Sequence, residues 1–87
     1  MSDIDRMGQR FGRVVRQLRE ARGWSQERLA GRAELNRSYF GEIERATAMP
    51  SLATAAKLAQ ALGVPLSELI SRCEAGARRE RQVAIAG

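Results

Sequence analysis

The chain has 87 residues, enough for one domain with a modest core of short helices. It carries 15 basic and 10 acidic residues, a net charge of +5, one cysteine and no histidine. With no glycine-rich phosphate loop and no cluster of metal-ligand residues either, enzyme chemistry is poorly supported, and neither a metal nor a cofactor is expected.

Of the 15 basic residues, 14 are arginine and Lys57 is the exception. Arginine makes forked contacts to phosphates and guanine edges, which suits a nucleic-acid partner, but charge alone fits a soluble basic surface at least as well. Placement has to decide. Cys73 cannot form an internal disulfide, which fits a reducing cytoplasm, and it reads as a small apolar packing residue. No apolar run approaches a membrane span, and the N-terminus lacks the basic-then-apolar order of a secretory signal. A cytoplasmic protein with no membrane association is expected.

Helix one is predicted from Ser2 or Asp3 to about Arg22. Ile4, Met7, Phe11, Val14, Val15 and Leu18 form its apolar stripe. Arg6, Arg10 and Arg13 lie roughly opposite, facing water or a phosphate backbone, and Arg19 falls on the stripe's edge. Gly8 and Gly12 weaken the early turns, and Gly23 supplies the stop. Helix two is predicted from Gln26 to Arg32, capped by Ser25, with Trp24 and Leu29 at the two positions of a hydrophobic staple. The same grammar recurs eleven residues on, with Asn36 as cap and Leu35 and Phe40 as staple. Only a turn around Ala33 to Leu35 fits between them. That is the layout of a helix-turn-helix, which pushes its second helix into a DNA major groove.

Helix three is predicted from Arg37 to about Arg45. Phe40 and Ile43 point inward, with Tyr39 and Glu44 on the flanks. Ser38, Gly41, Glu42 and Arg45 face away, and Arg37 projects from the first turn. A loop to Pro50 follows. Ser51 then caps helix four, Leu52 to Leu62, with Leu52, Ala55, Ala56, Leu58, Ala59 and Leu62 as apolar positions and Gly63 as the stop. Helix five starts at Pro65 or Leu66, turns Leu66, Leu69 and Ile70 inward, and is expected to end before Gly76. The expected domain is 1–75. The tail, 76–87, reads as a frayed terminus, or as a dimer arm built on Val83 and Ile85. The fold class is all-α, five short helices round one core.

Three segments, WSQERLA, LNRSYFGEIER and MPSLATAAKLAQALGVPLSEL, stand in this order and spacing. Through them the chain resembles the xenobiotic-response-element family, the lambda-repressor-like helix-turn-helix regulators, over about residues 9–71. The resemblance implies a transcriptional regulator that binds a double-stranded DNA operator, usually as a homodimer, with no small-molecule ligand evident. It puts Arg37, Ser38 and Glu42 against base edges. Ser25, Gln26, Tyr39 and Arg45 fall at the DNA backbone, and Arg19 and Glu44 in an ion pair between helices one and three. On the bare residues, Arg19 and Glu44 are as readily two solvated charges. Glu42 either accepts from cytosine N4 or neutralises Arg45.

Two positions depart from the family pattern. Relatives often carry Gly where this chain has Glu34, and Gly or Asn where it has Ala46 at the end of the reading helix. The first asks for a left-handed backbone at some cost, and the second is a suboptimal C-cap. The single short domain and the RSYF start of helix three are similar to restriction-modification controller proteins. By that likeness helices four and five make the dimer contact, with Leu66 and Leu69 as interface candidates. The rival reading is a protein-binding helix-turn-helix module such as an antitoxin or adaptor, recognised through its basic tail. Nonspecific nucleoid or RNA binding is weaker, since few aromatics are available for stacking.

Overall fold

Three helices begin on a side chain that satisfies orphan amides of the first turn. Ser25 Oγ accepts from Arg28 N at 3.1 Å and starts α2, Gln26–Arg32. Asn36 Oδ1 accepts from Ser38 N at 2.8 Å and Tyr39 N at 3.2 Å and starts α3, Arg37–Glu44. Ser51 Oγ accepts from Thr54 N at 3.1 Å and starts α4, Leu52–Leu62. Before them runs α1, Asp3–Ala21, and after Pro65 comes α5, Leu66–Ala86. The computed structural model describes the backbone of residues 3–86 and the side-chain surroundings of residues 6–83. The expected start at Ser2, and the side chains of Ile4 and Ile85, lie outside the described residues.

The first four helices stop in one way. A single left-handed residue follows each: Gly23 at φ 69°, Glu34 at 56°, Ala46 at 62° and Gly63 at 75°. The next amide then reaches the carbonyl five residues earlier: Trp24 to Arg19 at 3.2 Å, Leu35 to Ala30 at 2.8 Å, Thr47 to Glu42 at 2.9 Å and Val64 to Ala59 at 3.0 Å. This is the Schellman closure, which glycine adopts freely and a residue with a Cβ adopts under strain. Glu34 and Ala46 therefore hold strained turns on both sides of α3.

The core forms where α1 meets α3 and α5, and where α4 closes against α5 and α2. Phe11, Val15, Leu29, Phe40, Ile43, Leu58 and Leu62 are buried in it, and Cys73 fills a fully buried position. Among the described residues every element is a helix.

Four expectations need correction. Helix α5 does not stop before Gly76 but continues to Ala86. Gly76 is instead a point of close approach, where a Cβ would sit 3.3 Å from Arg10 Cδ. Arg10, expected in solvent, is only 6% exposed, and its Nη1 donates to Glu80 at 2.9 Å. The segment read as a tail is thus docked on α1 by a pair 70 residues apart. Leu69 is fully buried in the core, so it has no surface to offer a second copy, whereas Leu66 keeps partial exposure. Leu52 is 74% exposed and Ala56 is exposed as well. The first turn of α4 overhangs the core, and its buried stripe is Ala55, Leu58, Ala59 and Leu62.

Candidate nucleic-acid interface

The second half of α3 is gripped. Phe40 and Ile43 plug the core. Behind them α1 comes so near that a Cβ on Gly12 would lie 2.6 Å from Ile43 O and 2.8 Å from Glu44 O. The bare glycine lets the backbone of α1 touch the end of α3. Read locally, Gly12 is only a weak spot in a helix; its packing role depends on a chain segment some thirty residues on and left no local signal.

Around that contact sits a buried polar network. Arg19 Nε donates to Glu44 Oε2 at 2.8 Å and Nη2 to Oε1 at 3.1 Å, the side chains being 11% and 3% exposed. Arg19 Nη1 donates to Trp24 O at 2.7 Å, and Gln26 Nε2 donates to Glu44 Oε1 at 2.9 Å. Hydrogen bonding to Glu44 holds the Arg19 guanidinium above the usual arginine range, against the opposing effect of burial. The end of α1, the turn before α2, the first residue of α2 and the end of α3 are tied at one point. Gln26, read from the resemblance as a backbone contact, is thereby also a brace, with one amide hydrogen bound to Glu44 and one left over.

The first half of α3 is free. Arg37 and Ser38 are exposed beside the Asn36 cap, and Arg37 makes no ion pair among the described residues. Tyr39 is half-buried against the core. Ser25 is exposed, its Oγ occupied as an acceptor by Arg28 N. Gly41, expected to face away, is buried: Arg45 folds back so that its Nη1 would lie 3.0 Å from a Cβ there. Glu42 is half-buried, and no Glu42–Arg45 ion pair forms among the described residues. The Arg45 guanidinium lies over Gly41, and Arg45 stays exposed.

A short capped helix with an exposed guanidinium and a hydroxyl on its first turn, braced at its far end by a second short helix across a tight turn, defines a helix-turn-helix DNA-binding unit. The chain belongs to the helix-turn-helix domain family, whose sequence profile matches residues 10–69. It is 43% identical over 58 residues to the transcriptional regulator SutR of Escherichia coli, covering 67% of this chain and 33% of that protein. It is 43% identical over 61 residues to the control protein C.BamHI of Bacillus amyloliquefaciens, covering 69% and 75%. The crystal structure of the restriction-modification controller protein C.AhdI from Aeromonas hydrophila superposes with a TM-score of 0.69 at 45% identity, covering 71% of this chain and 94% of that one. The chain thus spans about a third of the length of SutR. These relatives are a transcriptional regulator, a control protein and a restriction-modification controller protein.

Proposed function

We propose that the chain is a sequence-specific regulator of transcription that binds a two-fold symmetric DNA operator as a homodimer, with α3 in the major groove. One observation carries this reading: Arg37 and Ser38 stand exposed, their side chains unpaired among the described residues, on the first turn of a helix whose other end is clamped. A guanidinium there can fork onto guanine O6 and N7, and Ser38 can donate or accept. Glu42 on the same side is an acceptor for cytosine N4. Ser25, Tyr39, Arg45 and the remaining amide hydrogen of Gln26 serve the phosphates, which set register and leave base choice to the others.

For the dimer, an apolar groove lined by Met7, Met49, Leu52 and Ile70 offers surface in place of Leu69, alongside half-buried Leu66. Met49 and Leu52 are 52% and 74% exposed. The likeness to C.BamHI and C.AhdI supports the narrower reading of a restriction-modification controller acting in the cytoplasm. No described helix is long and apolar enough to cross a membrane.

The test is selection of bound sequences from random duplexes, followed by sizing of the complex. A palindrome with half-sites about 34 Å apart and two chains per duplex is expected. A single unpaired half-site would refute the dimer, and no enriched motif at low salt would refute sequence reading.

A further inference from the structure

Three guanidinium groups converge on one indole. Their carbons lie 4.5 Å (Arg32), 5.6 Å (Arg28) and 5.9 Å (Arg22) from the centre of the Trp24 ring. Each is attracted by the ring face, but bringing like charges together opposes that attraction. Arg22 is fixed in place, donating to Leu18 O at 3.0 Å and Leu62 O at 2.6 Å. Arg28 and Arg32 are exposed residues whose guanidinium groups, among the described residues, are held against the ring alone. Among the described residues, no carboxylate lies within 4.0 Å of any of the three. Arg32 also borders a shallow groove with Glu34, Lys57 and Gln60. Glu20, Glu27 and Glu34 are the acids nearest in sequence, set against Arg22, Arg28, Arg32 and Lys57, and Glu20 already pairs with Arg16 at 3.4 Å. The balance is positive, and the described residues supply no counterion at its centre.

The cluster is turned away from the reading helix. α3 packs on α1 and α2, whereas the cluster spans the α1–α2 turn, α2 and the end of α4, which packs on α5, α2 and α1. On α2, Gln26 faces Glu44 of α3. Arg28 and Arg32 stand about 200° and 240° around the helix from it at helical pitch. A duplex engaged by Arg37 and Ser38 meets α2 at Ser25 and Gln26, and the side chains of Arg28 and Arg32 are not among the phosphate contacts that placement needs.

We infer that Trp24, Arg28, Arg32 and Lys57 form a docking surface for an acidic segment of another protein, carboxylates meeting the guanidinium groups and an apolar side chain meeting the indole. The argument is charge complementarity on a face that DNA leaves open. It rests on the proposed role of α3 only for that last point.

Trp24 is the chain's single tryptophan, so its emission reports from the centre of the surface. The experiment titrates the full chain, free and on its selected duplex, with a synthetic peptide of alternating Asp and Leu, and with a Lys–Leu peptide as control. A saturable change in emission is expected in both states with the acidic peptide alone. It should vanish in the Arg28→Gln, Arg32→Gln double variant, whose affinity for the duplex stays within about twofold at an unchanged salt slope. Absence of a saturable change overturns the inference, as does an equal response in the variant. A double variant whose salt slope falls by about one to two would make these arginines phosphate contacts and end the docking reading. Circular dichroism checks folding, and Arg28→Gln alone serves if the pair of changes unfolds the chain. If no duplex is ever selected, the free-chain titration still decides the surface, so the two failures are distinguishable.

Discussion

Removing Glu44 tests the brace behind the reading helix. Glu44→Ala takes two hydrogen bonds of 2.8 and 3.1 Å from a guanidinium that is 11% exposed, and leaves it one, to Trp24 O at 2.7 Å. Breaking one partner out of a buried ion pair costs about 3–5 kcal/mol. The surviving carbonyl bond and the small wet edge of Arg19 place this case near the lower figure, ~3 kcal/mol. A domain of this length has about 4–13 kcal/mol in total, so the variant should lose a large share of its stability. Glu44→Gln keeps an acceptor for Arg19 and should lose about 1–2 kcal/mol. Replacing both partners by apolar groups, Arg19→Met with Glu44→Leu, should recover most of the loss, since no charge is then stranded. Urea unfolding followed by Trp24 emission and circular dichroism, extrapolated linearly, supplies each value and closes the cycle. The pH dependence has a definite sign. Arg19 is a cation with a raised folded-state pKa, so its contribution is complete at every pH below its unfolded value and is lost only above it. The Arg19 part of the penalty should therefore be equal at neutral and moderately alkaline pH. A Glu44→Ala loss under about 1 kcal/mol would refute the claim that the pair is buried and structural.

Four other outcomes are expected. Gly12→Ala should lose about 1–2 kcal/mol in the same assay, although helix propensity alone would give a gain of about 1, because two backbone carbonyls occupy the space of the new methyl; a net gain would show that α1 and α3 separate freely. Glu34→Gly and Ala46→Gly should each raise stability by about 0.5–1 kcal/mol, the relief of a left-handed Cβ less the added freedom of the unfolded chain; destabilisation at either would mean the side chain has a role the turn does not show. Arg37→Ala should weaken the selected site by about 1–3 kcal/mol and relax preference at one base pair, whereas equal weakening on random DNA would make Arg37 a phosphate contact. Burial pushes the Cys73 thiol above its ordinary value of 9.0, so the unfolded chain deprotonates first and stability should fall as pH rises past that point, by at most about 1.4 kcal/mol per unit. Cys73→Ala should remove that part of the decline, and identical profiles for the two proteins would count against it.

What the sequence reveals here is what is local. Ser25, Asn36 and Ser51 cap amides two or three residues on, and Gly23 and Gly63 end their helices in the left-handed region, whereas the matching turns at Glu34 and Ala46 are legible only through the family likeness. Such features are visible in a short window, and they fix the two helices and the turn between them. Arg10 shows the opposite case. The apolar stripe correctly put Phe11, Val14 and Val15 inside, but an arginine off that stripe reads as solvated, and nothing near it announces Glu80. Gly76 misleads for the same reason, since a glycine that ends a helix and one that admits a neighbour's side chain look alike in sequence. Leu69 illustrates a third limit. Its inward position follows from periodicity, and only the family likeness suggested it for an interface; its complete burial favours the periodicity. Within the candidate site, Glu42 and Arg45 stand at a spacing that permits an ion pair, yet among the described residues none forms and the guanidinium lies over Gly41.

The division of α3 into a held end and a free end has a consequence for how such a regulator changes its DNA preference. Phe40, Ile43 and Glu44, with Gly12 and Arg19 behind them, fix where the helix points. Substitution at any of these acts through folding, by about 1 to 5 kcal/mol depending on the change, because each would leave a cavity, a clash or a stranded charge. Arg37 and Ser38 carry none of that burden, and exposed substitutions of this kind stay within about 0.5 kcal/mol. The proposed specificity residues can therefore vary while the angle of the helix is preserved. Coupling between the two sets should be small where partners are not shared. Gln26 is the exception the geometry creates, since it braces Glu44 and is also the proposed backbone contact. A change at Gln26 should lower stability and DNA affinity together, whereas a change at Arg37 should lower affinity alone. Loss of both properties on Arg37→Ala would mean the first turn of α3 is held by contacts other than its Asn36 cap.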